Sequence, residues 1–392
     1  MSTARRPVPA RRLILLAAAA APAVLFSGCG LPAATQQGTS VIVIAASATS
    51  NEPEPVLGPP DVGLLRRNAA SASDATAYIV DPGTGQPAVV PLTPRRPDGQ
   101  VQYAQPQRNE MISQNIDRVQ RILGREAATG PFDLLAEIAA AARVTAVPGT
   151  LIVVSSGLST AGGFDLRQVG WAASPRSVAA RLRRRGMLPS LTGWHVIFSG
   201  LGDTAGAQPA LPLPLRTLLT SYWMAICRAT QAASCAVDEI TRPEPPPRSR
   251  RPVPVVPVPR VVSVRGPRGW SGKSLPDDEF FAFGSARLVP GASRTLRPLA
   301  ARARAGHLLV AITGYASPDG GSASYNAGLS LRRAQAVRAR LIALGVAPRQ
   351  IVQVRGLGTA GTSPAACYRR GHLDEAICGR LRRVVILLSP AR

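Results

Sequence analysis

GYASPDGGSASYNAGLSLRRAQAVRARLIALG, residues 314–345, carries the pattern that decides the fold of the C-terminal part of this chain. Its second half, 325–345, is predicted to be a helix. Ala334, Val337, Leu341 and Leu344 return at helical spacing to make one apolar stripe, and Gly345 follows as a residue that ends helices readily. The glycine- and serine-rich first half reads as a loop leaving the strand LLVAITG, 308–314. Working outward, IVQVRG (351–356) and RRVVILL (382–388) read as strands. LPDDEFFAFGSARLVPGA (275–292) reads as an aromatic strand and a turn. Leu296, Leu299, Ala300 and Ala303 then share one face of a further helix, in which Pro298 marks a late start or a kink.

Residues 314–337 resemble the signature of OmpA-like peptidoglycan-binding domains. Other pieces fall in that family's order: Phe280-Phe281-Ala282-Phe283 on a first strand, Leu288 before the first helix, Gly345-Val346 after the second, Gly356-Leu357-Gly358 after the third strand, and Arg382-Arg383-Val384 opening the last. The resemblance spans residues 274–392 and implies an α+β fold, two helices on a mixed sheet, rather than a membrane β-barrel. It also implies non-covalent binding of the diaminopimelate of peptidoglycan stem peptides. That side chain ends in an ammonium and a carboxylate. A guanidinium can fork onto the carboxylate and an aspartate can take the ammonium. Arg333 matches the family's binding arginine, seven residues after Asn326 and directly before Ala334. The family's aspartate position is held by Ser317, with Asp319 two residues further on in a longer loop, able either to take the role or to cap a turn. A solvated helix-face position is the rival reading for Arg333, because Arg332 adjoins it.

The formal charge is +24, and all the basic residues but Lys273 are arginine. The charge is uneven. Residues 29–241 hold 17 arginines against 15 acids, residues 242–273 hold 8 basic residues against 1 acid, and residues 274–392 hold 17 arginines against 6 acids, a net of +11. Such a field attracts polyanions without choosing among them.

The first 28 residues read as a signal peptide: Arg5, Arg6, Arg11 and Arg12, then the apolar run 13–26, then Phe26-Ser27-Gly28-Cys29, which resembles a bacterial lipobox. The run is short for a membrane span. Cys29 is therefore the expected lipidation site, a palmitoyl-type acyl anchor, with residues 29–39 as a tether; an ordinary secretory signal that happens to contain a cysteine is the alternative. The other four cysteines fall into two local pairs, Cys227–Cys235 and Cys367–Cys378, and an exported chain meets an oxidising compartment that keeps disulfides. Some OmpA-like domains also carry a local disulfide where the second pair lies. A four-cysteine metal site is disfavoured, since neither pair is CxxC.

Residues 40–241 alternate strand-like and helical segments: 41–46, the hairpin 76–92, helices over 107–124 and 131–143, a strand at 150–156, a helix at 174–186, a strand at 194–200 and a helix around 215–230. This predicts an α/β domain with a largely parallel sheet and flanking helices. The order loosely resembles von Willebrand A-like domains, whose first strand ends in Asp-x-Ser-x-Ser. The matching stretch is Ala45-Ala46-Ser47-Ala48-Thr49, without the carboxylate, so no metal site is expected. Residues 242–273 read as a Pro/Arg-rich linker. Eight of the nineteen residues 242–260 are proline, which would make a polyproline spacer of roughly 60 Å at about 3.1 Å per residue.

Together these readings predict a non-catalytic lipoprotein on the outer face of a bacterial cytoplasmic membrane, binding peptidoglycan through residues 274–392, with an unknown protein partner for residues 40–241 and neither cofactor nor nucleic acid. Two alternatives stay open: a component of an envelope pore or secretion assembly, and a hydrolase in the N-terminal domain. The hydrolase lacks a Gly-x-Ser-x-Gly elbow, and His195, His307 and His372 do not adjoin candidate nucleophiles in sequence. No stacking aromatics accompany the arginines as a nucleic-acid site would need.

Overall fold

A computed structural model describes residues 40–71, 73–80, 87–123, 130–171, 173–238, 252–281, 284–318, 321–369, 372–373 and 375–391. The signal peptide, Cys29, Asp319 and residues 239–251 lie outside the described residues.

The apolar runs of the N-terminal half become β1 (Ser40–Ala46), β2 (Ala75–Val80), β3 (Pro87–Pro91), β4 (Thr150–Val154), β5 (His195–Ser199) and β6 (Ser234–Asp238). They form one sheet in the order β3-β2-β1-β4-β5-β6, parallel except for β3. Because alternate residues point to opposite faces, each central strand feeds two cores. Ile42, Ile44, Ile152 and Val154 pack under α1 (Pro59–Ala70) and α2 (Gln105–Leu123). Val43, Leu151, Val153, Val196 and Phe198 pack under α3 (Leu134–Ala141), α5 (Pro175–Arg184) and α6 (Leu213–Ala229), with the single turn α4 (Leu166–Val169) at the margin. The sheet is largely parallel with flanking helices, as the alternation predicts, and it is doubly wound. One helix has no counterpart in the sequence reading. α1 forms between β1 and β2, because Pro59 and Pro60 occupy its first turn, where no intrahelical N–H is needed, and Asp61 sits at its positive end.

The second sheet has the order β10-β9-β13-β8-β7. Its strands are β7 (Val262–Arg265), β8 (Ser271–Pro276), β9 (Leu309–Tyr315), β10 (Ile351–Gly356) and β13 (Arg383–Ser389); a small hairpin, β11 (Tyr368–Arg369) and β12 (His372–Leu373), stands apart. Only β9 and β10 run parallel, so the sheet is mixed. Helices α8 (Ala292–Ala305) and α9 (Ala323–Ala343) cover one face, with Leu296, Leu299, Val337 and Leu341 against Val310, Ile312, Val384 and Ile386. α10 (Glu375–Leu381) precedes β13. The predicted α+β domain is present.

Three expectations need correction. Phe280–Phe283 does not supply a sheet strand among the described residues. Asp277–Phe280 is one turn of helix, α7, and Phe281 makes a single bridge to Leu288. The strand beside β13 is instead Ser271–Pro276, too polar and glycine-containing to read as one. The C-terminal sheet accordingly starts at Val262, within the stretch read as linker. Finally, the proline-rich stretch is no free spacer after residue 252. Polyproline II turns every three residues, so Val253 and Val256 share a face, and both are buried in the N-terminal core. Their unpaired backbone groups are used as well. Asn51 Nδ2 donates to the Val253 carbonyl at 2.9 Å, Gln208 pairs with both backbone groups of Val256 at 2.8 and 3.0 Å, and the Trp171 indole donates to the Pro257 carbonyl at 2.7 Å. Residues Gly38–Arg392 thus form one compact unit.

Both expected disulfides are present, Cys227–Cys235 and Cys367–Cys378. Among the described residues no helix is long and apolar enough to cross a membrane.

Candidate functional site

Helix α9 is capped by Ser322, whose Oγ accepts the Tyr325 N–H at 3.2 Å. Its buried stripe runs through Asn326, Leu329, Ser330, Arg333, Ala334, Val337 and Leu341. A guanidinium in such a stripe must be paired, since a buried lone charge is very costly. Arg333 is paired. Nη1 bonds Asp277 Oδ2, Nε donates to the Ser285 carbonyl at 3.0 Å, and the guanidinium lies 5.3 Å from the Phe281 ring centre. Arg332, the neighbour that made the sequence ambiguous, is exposed.

Asp277 is 1% exposed. Its backbone N–H is held by the Arg382 carbonyl at 3.2 Å, which ties α7 to the start of β13. Oδ2 is engaged by Arg333, whereas Oδ1 has no hydrogen-bond partner among the described residues. Burial pushes the carboxyl up to about 7, against the opposing pull of Arg333. Arg382 donates to Ser317 Oγ at 3.2 Å and to Asp278 Oδ2 at 3.5 Å. Asn326 Nδ2 reaches the Ser317 carbonyl at 3.5 Å.

Arg333, Asp277, Arg382, Ser317 and Asn326 all line one cavity of about 700 Å³. Of the residues singled out from sequence, Arg333, Ser317 and Asn326 are therefore brought together. Ser317 is committed to Arg382 rather than free to take a cation. Asp277, Asp278 and Arg382 line the same cavity and were not singled out from the sequence as site residues. The signal was faint: three consecutive acids, Asp277-Asp278-Glu279, in a segment of 119 residues that holds only six. The cavity is lined by a fixed cation and, beside it, by a buried carboxyl group that has one oxygen without a partner among the described residues. That arrangement suits a ligand carrying both an ammonium and a carboxylate.

In the N-terminal sheet the strand order reverses between β1 and β4, where doubly wound folds place ligands. Here Glu52 fills that crevice, accepting the Ser156 N–H at 2.7 Å and the Thr49 N–H at 3.1 Å. Ala45 is buried in the strand that leads there. Among the described residues no group of three or more His, Cys, Asp or Glu could hold a metal ion. His195 is exposed and bonds Ser234 Oγ at 2.9 Å across the first residues of β5 and β6.

Residues 280–369 match the model of the OmpA family. Similar solved structures include the peptidoglycan-associated lipoprotein from Burkholderia pseudomallei, 26% identical over 30% of this chain and 89% of that one, TM-score 0.24. The cell wall anchor of the T6SS from Pseudomonas aeruginosa is 24% identical over 34% of this chain and 89% of that one, TM-score 0.28. The periplasmic domain of Helicobacter pylori MotB is 17% identical over 34% and 83%, TM-score 0.28. No curated protein matches the chain.

Proposed function

We propose that this protein is a non-catalytic component of the bacterial cell envelope that holds peptidoglycan through the cavity beside α9, with Cys29 as its lipid anchor on the outer face of the membrane. The observation that carries the reading is the buried Arg333–Asp277 pair lining a cavity, with Asp277 Oδ1 unsatisfied among the described residues. The Arg333 guanidinium receives the carboxylate of a diaminopimelyl side chain, and Asp277 Oδ1 receives its ammonium. Asp277 thereby does what the OmpA-like pattern assigns to the position of Ser317. The OmpA family match over residues 280–369 supports peptidoglycan as the polymer that presents this group.

The test is co-sedimentation of the full chain with purified diaminopimelate-type peptidoglycan, competed by free diaminopimelate. Arg333→Ala and Asp277→Asn should each weaken retention, because a ligand charge left unpaired in a desolvated site costs about 2–5 kcal/mol. Retention that is indifferent to both substitutions and vanishes at moderate salt would assign the binding to the +11 charge of residues 274–392 alone.

A further inference from the structure

Helix α6 belongs to the N-terminal domain, yet it has two working faces. Leu215, Leu219, Trp223 and Ile226 are buried in its own core. Pro214, Thr217, Leu218 and Ser221, at the i, i+3, i+4, i+7 spacing of a second face, line the same cavity as Arg333 and Asp277. Leu213, at the first turn, also lines it and is 74% exposed, a large apolar side chain left uncovered at the cavity wall. Trp171 completes this side, its ring held by the Pro257 carbonyl of the docked proline segment. Among the described residues, the charged groups that line the cavity all stand on its C-terminal side.

The opposing wall is therefore apolar with two hydroxyls. Thr217 Oγ1 donates to the Leu213 carbonyl at 3.0 Å and Ser221 Oγ donates to the Thr217 carbonyl at 2.9 Å. With their protons committed to the helix, these oxygens present lone pairs to the cavity and can accept from a peptide N–H.

We propose that α6 and Trp171 form the second wall of the ligand site, so that a peptide is gripped between the two domains. The zwitterionic end of the ligand sits on Arg333 and Asp277. The peptide that adjoins it lies against Leu213, Leu218 and Thr217. The N-terminal domain then selects for the peptide that carries the zwitterion, and the docked proline segment, by fixing Trp171, sets the width of the slot. This rests on the proposed function above and adds the residues that read the rest of the ligand.

The experiment is calorimetry on the full chain with two probes: free diaminopimelate, which offers only the head, and the soluble tripeptide L-Ala–D-Glu–diaminopimelate, which adds the peptide. Leu213→Ala/Thr217→Ala replaces two exposed side chains, so its thermal melt should match that of the unaltered protein. It should bind free diaminopimelate within about twofold of the unaltered chain and the tripeptide about fivefold more weakly, the effect of removing a few buried carbons from one contact. Arg333→Ala should lose both probes. If Arg333→Ala loses both while the double variant binds the tripeptide as well as or better than the unaltered chain, the two-domain site is overturned and the cavity reading stands. If Arg333→Ala binds both probes normally, or the unaltered chain binds neither, the proposed function itself falls and this inference with it.

Discussion

Gly314 and Gly356 are register partners on the parallel strands β9 and β10, and both lie against one turn of α9. A Cβ at Gly314 would strike the Ser330 carbonyl oxygen, and one at Gly356 would strike the backbone N of Leu331. These are helix backbone atoms, which cannot swing aside. The paired glycines thus set how deeply α9 seats on the sheet, two residues before Arg333. Gly314→Ala should destabilise the C-terminal domain by about 1–3 kcal/mol through overpacking, read as a fall in denaturation midpoint, and should also weaken ligand binding by lifting Arg333. Alanine tolerated with an unchanged midpoint would mean the helix has freedom that this packing denies it.

Arg332 and Arg333 are adjacent and chemically identical, but one is exposed and the other 6% exposed and paired. Arg332→Ala should change stability by under about 0.5 kcal/mol, as surface substitutions do. Arg333→Ala strands the Asp277 carboxylate and should cost about 3–5 kcal/mol at a pH where Asp277 is ionised. Arg333→Ala/Asp277→Leu, which removes both charges, should recover much of that stability while leaving binding lost. Urea unfolding of the three variants separates the outcomes.

The raised Asp277 value gives a signed pH effect. The carboxyl moves from 3.8 to about 7 on folding, so the folded state prefers the neutral acid. The associated stabilisation is complete below the unfolded value and is lost as pH rises through about 7. The groups that act on it are Arg333, Asp278, Arg382 and Arg383. Asp277→Asn should therefore flatten the stability profile between pH 4 and 7. Ligand binding should show the opposite slope, strengthening as Asp277 ionises to meet an ammonium. A binding profile that is flat across this interval, in a chain whose Asp277→Asn variant matches it, would remove Asp277 from the ligand site.

The two disulfides close short loops, Cys227–Cys235 between α6 and β6 and Cys367–Cys378 between the β10 side and α10. Each should contribute about 2–3 kcal/mol in the chain-entropy model. Replacing both members of one pair with serine should lower the melting temperature of the domain that holds it. The Cys227 pair should matter to ligand binding too, since it ties down the far end of α6.

Cys29 lies outside the described residues, and the lipidation expected there is a chemical prediction. Mass spectrometry of the membrane fraction should find a diacylglyceryl adduct on Cys29, and Cys29→Ala should release the protein from membranes. An unmodified, soluble native chain would refute the anchor. Where one acyl chain holds marginally, two or three hold firmly.

Much of the architecture was legible from local patterns. The stripe Ala334-Val337-Leu341 makes a helix wherever it packs, and the run at 150–154 makes a buried strand, because side-chain periodicity reports which face is hidden. The cysteine pairs were legible because short spacing makes closure cheap. That Arg333 differs from Arg332 was suggested only by the OmpA-like signature around it; its burial beside the cavity is seen in the fold. β8 was not. Ser271–Pro276 is polar and owes its strand to the pairing offered by β13, a contact made more than a hundred residues away. Phe280 and Phe281 had the composition of a strand, yet their burial is met by a turn of helix and a bend.

What the sequence by itself determined is the set of segments that hide an apolar face and the two local disulfides. What only the tertiary structure decided is the company that Arg333 keeps. Asp277 reaches Arg333 across 56 residues because α7 hangs from the Arg382 carbonyl just before β13. α6 lines the cavity, and Val253 and Val256 bind the proline segment back onto the first domain. The reason is physical. A periodic pattern records how one segment partitions between water and a core, which is a local property. The pairing of a buried charge, or the docking of a segment whose backbone groups lack partners, depends on which distant groups the finished fold brings within hydrogen-bond range.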